Sequence, residues 1–439
     1  MAKAKKKESL TPEERLQAAL VSESEQPYPV PANWCWVHLL DSFYNCTDSK
    51  KKIPQKEYIE DGKIAVVDQG QNLVGGYTND REMAFSGNLP VIIFGDHTRC
   101  IKYIDFPFAQ GADGVKVLNP KPFFDAKAFY YAFQNINIPN LGYRRHFPLF
   151  DQYTIPLPPF AEQQRIVDRI ESLFAKLDEA KQKAQDALGG FETRKAAILH
   201  KAFTGELTAK WRKEHGVGME TWSSCKLIDI LVEKPRNGYS PKPVDYVTAC
   251  KSMTLSATTT GVFKPEFFKY IDEEIPENSH LWLTPGDILI QRANSLEKVG
   301  MSAIYTGAEH EFIYPDLMMK LTVKEPNNKH YIDYYLKTDE ILNYFRSNAT
   351  GTAGNMPKIN QKVVSETPLI LPETQEQAEI VRLLDDLLAR EQQAKEAAEG
   401  VLEQIDLMKK AILARAFRGE LGTNDPREES AVELLKQVL

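Results

Sequence analysis

The sequence lacks the features of secreted, disulfide-rich and membrane-spanning proteins. It has five cysteines, and no two of them form a Cys-x-x-Cys pair, so neither a disulfide framework nor a paired-cysteine metal site is indicated. No signal peptide is evident, and no apolar run approaches the roughly 18 residues that a transmembrane helix needs. We therefore expect a reduced, cytoplasmic chain that does not contact a membrane.

Motifs of the common catalytic classes are also missing. The sequence has no Gly-x-x-x-x-Gly-Lys-Ser phosphate loop and no His-Glu-x-x-His zinc motif. Residues 137–140 lack the second proline and the aromatic ring of an amino-methyltransferase motif, and residues 61–63 and 315–316 are isolated fragments of a nuclease pattern. These absences predict a chain without catalytic activity, cofactor or metal.

A basic excess is absent too. The chain carries 54 Lys and Arg against 61 Asp and Glu, a formal net charge of −7. A free-standing nucleic-acid binder usually shows a basic face, so any nucleic-acid contact has to come from a local patch or from charge that partner subunits supply.

The sequence does contain one segment of about 54 residues that occurs twice. The two copies align with each other without insertions or deletions. Residues 155–208 recur as residues 369–422, 214 positions further along, and both copies end in Ala-Phe-x-Gly-Glu-Leu. An internal repeat of this length predicts two copies of one unit in a pseudo-twofold arrangement.

Each copy has apolar residues at alternating intervals of four and three, which is the spacing of a coiled-coil seam. Only Glu391 interrupts the second seam. A continuous helix over 161–203 would be about 65 Å long, with a kink at Gly189-Gly190 as an open alternative. The predicted seam and helix-end residues are Ile166, Ile170, Leu173, Leu177 and Phe203 in the first copy, and Ile380, Leu384, Leu387 and Phe417 in the second.

A long amphipathic helix cannot bury its apolar stripe alone, so we expect the two copies to pair antiparallel within one chain. Two alternatives stay open: each helix packs only on the neighbouring globular domain, or the chain dimerises. The globular stretches before the helices begin alike, at Trp34 and Trp222, and then diverge. Their short β-branched runs and Gly/Asn-rich loops predict an α+β fold, in which the runs at 64–72 and 288–294 are interpreted as equivalent strands that end in polar residues.

The predicted organisation is two globular α+β domains separated by two long antiparallel coiled-coil helices. Its boundaries are an N-terminal helical appendage at 1–29, a globular domain at 30–154, the central helix at 155–211, a second globular domain at 221–368, the C-terminal long helix at 369–422 and a short helix at 423–439. The appendage opens with a lysine tail and a capping box at Thr11. The last short helix is expected to open at Asp425-Pro426.

Leu-Pro-Pro-x-x-Glu-Gln-Gln-Arg-Ile-Val at 157–167 introduces the first helix. Together with the repeated ends and the two diverging domains, this motif resembles the DNA specificity subunit of Type I restriction–modification systems over nearly the whole chain. The resemblance implies that each globular domain is a target recognition domain, which reads one half of a bipartite, asymmetric sequence in double-stranded DNA. It also implies that the coiled coil sets the half-site spacing and docks two methyltransferase subunits, which restriction/translocase subunits join. Methyl transfer, cleavage and ATP hydrolysis would then belong to the partners.

Polar loops become candidate DNA contacts on this resemblance, because Arg suits guanine and Asn or Gln suits adenine. The candidates in the first domain are Gln69, Gln71, Asn72, Tyr143, Arg144, Arg145 and His146, and those in the second are Arg236, Lys242, Gln291, Arg292, Asn294, Asn355 and Lys358. Ordinary turns explain the same residues without DNA. The repeated Glu-Gln pairs and the Ala-Phe-x-Gly-Glu-Leu ends are candidate partner-docking edges, with capping and core packing as the alternative.

Two other functions compete with DNA recognition. One is a stand-alone enzyme such as a nuclease, and the other is a coiled-coil scaffold whose two heads bind proteins.

Overall fold

The computed structural model describes residues 11–351 and 356–438. The chain divides into two compact units, one formed by Met1–Ala184 with Gly400–Leu439 and the other by Gln185–Glu399. Each unit therefore contains one globular domain and parts of both long helices. The N-terminal lysines and Asn355 lie outside the described residues.

The globular domain of the first unit contains two four-stranded sheets. One is antiparallel, in the order Phe43–Asn45, Val115–Pro120, Val91–Gly95 and Ile101–Ile104. The other is mixed, in the order Lys52–Ile53, Phe108–Gly111, Ile64–Val67 and Gly76–Thr78. Cys35–His38 pairs antiparallel with Thr154–Leu157, so the entry and the exit of the domain are joined side by side.

The strand Val91–Gly95 is buried along its whole length because it separates two cores. Ile92 and Phe94 pack into a core with the helix Ala126–Gln134, while Val91 and Ile93 pack into a second core with residues of the mixed sheet. Successive side chains of a strand point to opposite faces, so a continuous apolar run is what a strand between two cores requires.

The globular domain of the second unit has the same number of sheets. Its antiparallel sheet has the order Arg236–Asn237, Met318–Leu321, Ile288–Gln291 and Ser302–Ile304. Its mixed sheet has the order Pro243–Val244, Phe268–Ile271, Cys250–Met253 and Phe312–Ile313. Ser223–Lys226 pairs with Pro368–Leu371, and the helices of the domain are Lys329–Leu336, Asp339–Ser347 and Gln361–Ser365.

The two domains share the strand order of the antiparallel sheet and the pairing of three strands of the mixed sheet, which corrects one prediction. Ile288–Gln291 is a central strand of the antiparallel sheet, so its counterpart is Val91–Gly95; Ile64–Val67 lies in the mixed sheet and corresponds to Cys250–Met253. The predicted equivalence of Ile64–Val67 and Ile288–Gln291 is wrong because both runs are apolar and only long-range pairing distinguishes them.

The long helices span Phe160–Gly189, Phe191–Phe203 and Thr374–Ala416. Gly190 separates the first two but keeps a right-handed helical backbone, and the Arg194 N–H donates to its carbonyl at 3.0 Å. A further helix, Ala209–His215, follows the first copy of the repeat.

Within each unit the long helices run antiparallel. In the first unit the Thr423 hydroxyl donates to Glu162 at 2.7 Å, and Lys409 pairs with Asp178 at 2.6 Å. In the second unit Arg194 pairs with Glu391 at 2.8 Å, so the residue that interrupts the predicted seam has a cationic partner on the opposite helix.

The predicted seam is buried most completely next to the globular domains. Ile166, Ile170, Ile380 and Leu384 are fully buried, and each also packs into the core of its domain. Helix pairing and packing on the domain therefore occur together. Leu173, Leu177 and Leu387 are half-buried.

The first and last described helices of the first unit pack on each other. The helix Pro12–Ala19 has the predicted capping box between Thr11 and Glu14, and Leu16 packs in one core with Ala431 and Leu435. The terminal helix spans Ala431–Val438. Its predicted start at Asp425 is wrong, because the Asp425 carboxylate accepts hydrogen bonds from Arg427 in a turn.

Candidate nucleic-acid interface

Three polar segments of the first domain meet at one edge. They are the loop after Ile64–Val67, the turn after Val91–Gly95 and the loop at 140–146. The Gln69 side-chain oxygen accepts the His97 N–H at 3.2 Å, and the Thr98 hydroxyl donates to the Gln69 carbonyl at 2.6 Å. The His97 ring stacks on Tyr143 with centroids 4.7 Å apart. Hydrogen bonds and stacking thus bring two of the predicted segments together.

The side chains that this edge presents to solvent suit nucleic acid. Tyr143 is 86% exposed, and Arg144, Arg145, Gln71 and Asn72 are exposed as well. Neither arginine forms an ion pair with the described part of the chain. Guanidinium groups free of carboxylates are available for phosphate or guanine, and an exposed ring beside them can pack on a sugar or a base.

Buried Lys102 holds the first of these loops. Its side chain is 4% exposed, and the ammonium group donates to the carbonyl oxygens of Asp68, at 2.8 Å, and Asn72. Because these hydrogen bonds fix the backbone of the loop, the Gln71 and Asn72 side chains project from an ordered turn.

His146 is not a surface residue, so its predicted direct contact with DNA is wrong. It is fully buried, with Nδ1 2.8 Å from the Asp96 carbonyl oxygen and Nε2 accepting the Leu141 N–H at 3.2 Å. Both ring nitrogens are used within the domain.

The second domain assembles its candidates at the corresponding edge. Ala293 and Thr350 each form a β-bridge with Lys358, and the Asn294 N–H donates to the Pro357 carbonyl at 3.4 Å. These contacts place Arg292, Asn294 and Lys358 on adjoining segments.

Gln291 is fully buried, which makes its predicted role in base reading wrong. Its amide donates to the Leu255 carbonyl at 2.9 Å and to the Thr258 hydroxyl at 3.0 Å, and its oxygen accepts from Asn294. The strand continues into the core by one residue more than the sequence suggests, so Arg292, which is half-buried, is the first polar residue of this run that reaches solvent.

The segment 236–242 joins the same edge through Asp316. The Ser240 hydroxyl donates to the Asp316 carboxylate at 2.5 Å, and Arg292 donates to the Asp316 carbonyl at 3.3 Å. Arg236 is exposed but pairs with Glu233 at 2.7 Å, whereas Lys242 is exposed. Lys242 and Arg292 are therefore better placed than Arg236 to meet an anionic ligand.

Sequence reasoning missed His97 and Thr98 in the first domain, and Ser240 and Asp316 in the second. His97 and Thr98 follow Val91–Gly95 as Arg292 and Asn294 follow Ile288–Gln291. A buried apolar run that ends in polar residues was therefore the available signal.

One backbone contact recurs in both domains. The His146 N–H donates to the Asp96 carbonyl at 2.9 Å, and the Ile359 N–H donates to the Arg292 carbonyl at 2.8 Å. The turn after the central strand and the loop before the last strand thus meet in the same way in each domain, although the exposed side chains differ.

The repeated Glu-Gln pairs are structural. The Gln163 oxygen accepts the N–H of Asp125, and the Gln377 oxygen accepts the N–H of Asn328; Asp125 and Asn328 each cap a helix of the domain. Glu162 and Glu376 are buried and accept hydrogen bonds from threonine and arginine side chains. These contacts support the capping interpretation over a partner-docking edge.

The Ala-Phe-x-Gly-Glu-Leu ends are likewise part of the core. Phe203 is 9% exposed and lies edge-on to Tyr331 and Tyr335, with centroids 5.3 and 5.0 Å away, and Phe417 is fully buried. Gly205 and Gly419 have φ of 81° and 75°, a left-handed conformation that favours glycine.

No group of three or more His, Cys, Asp or Glu side chains within 11–351 and 356–438 could hold a metal ion. In the same residues, no helix has the length and apolar character to span a membrane. The five cysteines, all within the described ranges, are free thiols.

The model of one protein family, described as the Type I restriction modification DNA specificity domain, matches residues 34–187 and again residues 219–400. The chain belongs to this family. Each match contains one globular domain and the start of the long helix that follows it, so the family relationship confirms the resemblance on which the sequence interpretation depends.

Specificity subunits of Type I restriction enzymes are similar to this chain over part of its length. The EcoKI specificity subunit of Escherichia coli (strain K12) is 29% identical over 277 residues, which are 62% of this chain and 58% of the relative. The StySPI specificity subunit of Salmonella potsdam is 25% identical over 283 residues, with the same two coverages of 62% and 58%. The chain thus matches less than two thirds of the length of these relatives.

Solved structures extend the likeness to nearly the whole chain. The HsdS subunit from Thermoanaerobacter tengcongensis has a TM-score of 0.57 at 17% identity, covering 91% of this chain and 100% of the other. A chain from a study of complex assembly and conformational transition of the type I R-M system has a TM-score of 0.63 at 17% identity, with coverages of 90% and 100%. At this identity the two structures establish the shared fold, two α+β domains with long antiparallel helices.

Proposed function

We propose that this chain is the non-catalytic DNA-reading subunit of a Type I restriction–modification enzyme. Each globular domain reads one half of a bipartite, asymmetric target in double-stranded DNA. The observation that carries the proposal is the pair of polar edges, which occupy one place in a shared topology and present different side chains. Tyr143, Arg144 and Arg145 mark the first edge, and Arg292, Asn294 and Lys358 mark the second. Unlike edges on like domains favour two unlike half-sites.

The overall charge of −7 constrains how such a chain binds DNA. Affinity for DNA comes mainly from cations that neutralise phosphates, and the arginines and lysines of the two edges are few. The proposal therefore includes partner subunits that contribute phosphate contacts, while this chain contributes the choice of bases.

The partners are two methyltransferase subunits and, with them, restriction/translocase subunits, all docked on the long helices. Exposed apolar side chains on the second long helix support this assignment. Val401, Leu407 and Met408 are 40%, 64% and 46% exposed on the helix Thr374–Ala416. Val401 and Met408 are seven positions apart and therefore lie on one face of the helix, where exposed apolar side chains suit contact with another protein.

The test is a selection from a randomised duplex pool by the full chain co-expressed with a Type I modification subunit. We expect enrichment of two unlike words separated by unspecified bases. An uninterrupted word, or protein capture without any DNA enrichment, would contradict the proposal, and the second result would favour a protein-binding scaffold. Turnover by the purified chain with DNA, Mg²⁺ and S-adenosylmethionine would overturn its non-catalytic assignment.

A matched pair of variants locates each half-site. Arg144→Gln/Arg145→Gln should relax the choice of bases in one word, and Arg292→Gln in the other, by about 1–3 kcal/mol for each guanine that an arginine no longer reads. The salt dependence of affinity separates the two roles, since removing an arginine that binds a phosphate lowers the slope by about one and leaves the base preference unchanged.

A further inference from the structure

His146 is a buried polar side chain in the first domain, and it does not take part in direct contact with DNA. It is fully buried, although the residues just before it, Tyr143 to Arg145, are exposed. A buried imidazole needs partners for both nitrogens, and the identity of those partners indicates what the residue does.

One of its two hydrogen bonds joins the two ends of the exposed loop, and the other joins the loop to a neighbouring turn. Nε2 accepts the N–H of Leu141, where the loop begins, at 3.2 Å. Nδ1 lies 2.8 Å from the Asp96 carbonyl oxygen, in the turn after the central strand. The neutral imidazole with its proton on Nδ1 satisfies both contacts.

Asp96 completes the attachment from the other side. Its carbonyl also accepts the backbone N–H of His146 at 2.9 Å, and its carboxylate accepts the N–H of Phe147 at 2.7 Å. The loop is therefore fixed to the turn that carries His97, whose ring stacks on Tyr143.

The second domain lacks this side-chain link at the corresponding position. Ile359 makes the same backbone hydrogen bond to Arg292, but its side chain is an apolar core residue that is 1% exposed. The backbone hydrogen bond is thus common to both domains, whereas the imidazole contacts occur only in the first. The shared fold does not require the imidazole.

We propose that His146 is a positioning residue for sequence reading by the first domain. It fixes Tyr143, Arg144 and Arg145 relative to His97 without touching DNA, and so determines which bases they reach. This inference rests on the proposed function of the chain as a DNA-reading subunit.

The test repeats the duplex-pool selection with the full chain and its modification subunit. His146→Leu removes both ring hydrogen bonds, and we expect discrimination in the half-site affected by Arg144→Gln/Arg145→Gln to fall about tenfold, the scale of one buried hydrogen bond. The other half-site and the affinity for non-target DNA should not change. His146→Asn places an amide N–H near the Nδ1 position, and should restore part of the discrimination.

Ile359→Val is the matched control, because it trims the buried side chain at the same place in the second domain and should leave both half-sites unchanged. Hydrogen exchange of Val91–Gly95 reports whether the His146 variants keep their core, and exchange of Ile288–Gln291 does the same for Ile359→Val. If His146→Leu does not fold, the His146→Asn variant decides alone. Discrimination below that of the unaltered chain would support the positioning role, and unchanged discrimination would contradict it. Full discrimination in a folded variant, or equal loss at both half-sites, would overturn the positioning role. No bipartite enrichment by the unaltered chain would instead reject the proposed function.

Discussion

Glu376 is a buried carboxylate whose removal should destabilise the second unit. It is 1% exposed and accepts hydrogen bonds from the Thr208 hydroxyl and Arg212 Nη1, both at 2.6 Å, and from the Trp222 indole N–H at 2.9 Å. The Arg212 side chain is 9% exposed. Glu376→Gln keeps the shape of the side chain but leaves that cation without an anionic partner.

The magnitude follows from what remains around Arg212. Removing one partner of a buried ion pair costs about 3–5 kcal/mol. Arg212 keeps its hydrogen bonds to the Gly205 carbonyl and the Thr208 hydroxyl, so we expect the lower end, about 3 kcal/mol. Hydrogen exchange of the amides that become exposed only when this ion pair opens should therefore be faster by roughly 100-fold.

Glu162 provides the matched control in the first unit. It is fully buried and accepts from Thr423 and Arg165, both at 2.7 Å. Arg165, however, is 38% exposed and makes two further hydrogen bonds to Glu428, at 2.8 and 2.7 Å. Glu162→Gln therefore leaves a solvated and still paired cation, and should cost about 1 kcal/mol.

Peptide-resolved hydrogen exchange measures each unit separately, which a single unfolding transition of a two-unit chain does not. We expect faster exchange at 205–222 and 374–380 in Glu376→Gln, and a change of only about fivefold near 162 and 423 in Glu162→Gln. Equal effects, or a larger effect of Glu162→Gln, would refute the reasoning from the solvation of the partner arginine.

Three further predictions concern separate parts of the chain. Leu407→Lys should weaken co-purification with a modification subunit and change the free energy of unfolding by less than about 0.5 kcal/mol, because Leu407 is 64% exposed. Gly419→Ala should accelerate hydrogen exchange in the first unit more than Gly205→Ala does in the second. A Cβ at Gly419 would lie 2.3 Å from the Pro31 ring, whereas at Gly205 it would meet the flexible Met219 side chain at 2.7 Å. Burial raises the pKa of the Cys35 thiol to about 12. At about pH 8 the reactive thiolate of Cys35 is therefore scarce. Mass spectrometry should detect iodoacetamide labelling of Cys35 only after the protein is unfolded.

The repeat predicted the helical part of the fold well because its signal is local. Apolar spacing places Ile166, Ile170, Ile380 and Leu384 on one stripe, and all four are buried. Spacing does not determine how far a seam stays covered. Val401 continues the second seam but is 40% exposed, since the depth of burial depends on what lies opposite.

The candidate interface was predicted less completely because burial of a polar side chain depends on distant partners. His146 and Gln291 look like surface residues in the sequence. Their partners lie on segments such as Asp96 and Leu255, which are 50 and 36 positions away. The same limit explains the wrong strand equivalence, since two apolar runs are alike until their pairing is known.

The two domains show why a shared scaffold can carry unlike reading edges. Backbone hydrogen bonds define the antiparallel sheet, so it has the same strand order in both domains while side chains vary. The mixed sheets differ even in backbone, because Lys52–Ile53 adds beside Phe108–Gly111, whereas Pro243–Val244 adds beside Phe268–Ile271.

Exchanging single loops between such domains should therefore fail to transfer recognition. The loop at 141–145 depends on Asp96, His97 and His146 for its position, and a graft into 350–358 would meet Arg292 and Ile359 instead. The arginines of the grafted loop would be present, but the contacts that position them in the first domain would be missing. The smallest portable unit is the domain bounded by the strand pair Cys35–His38 and Thr154–Leu157, because that pair encloses every residue on which the loop depends.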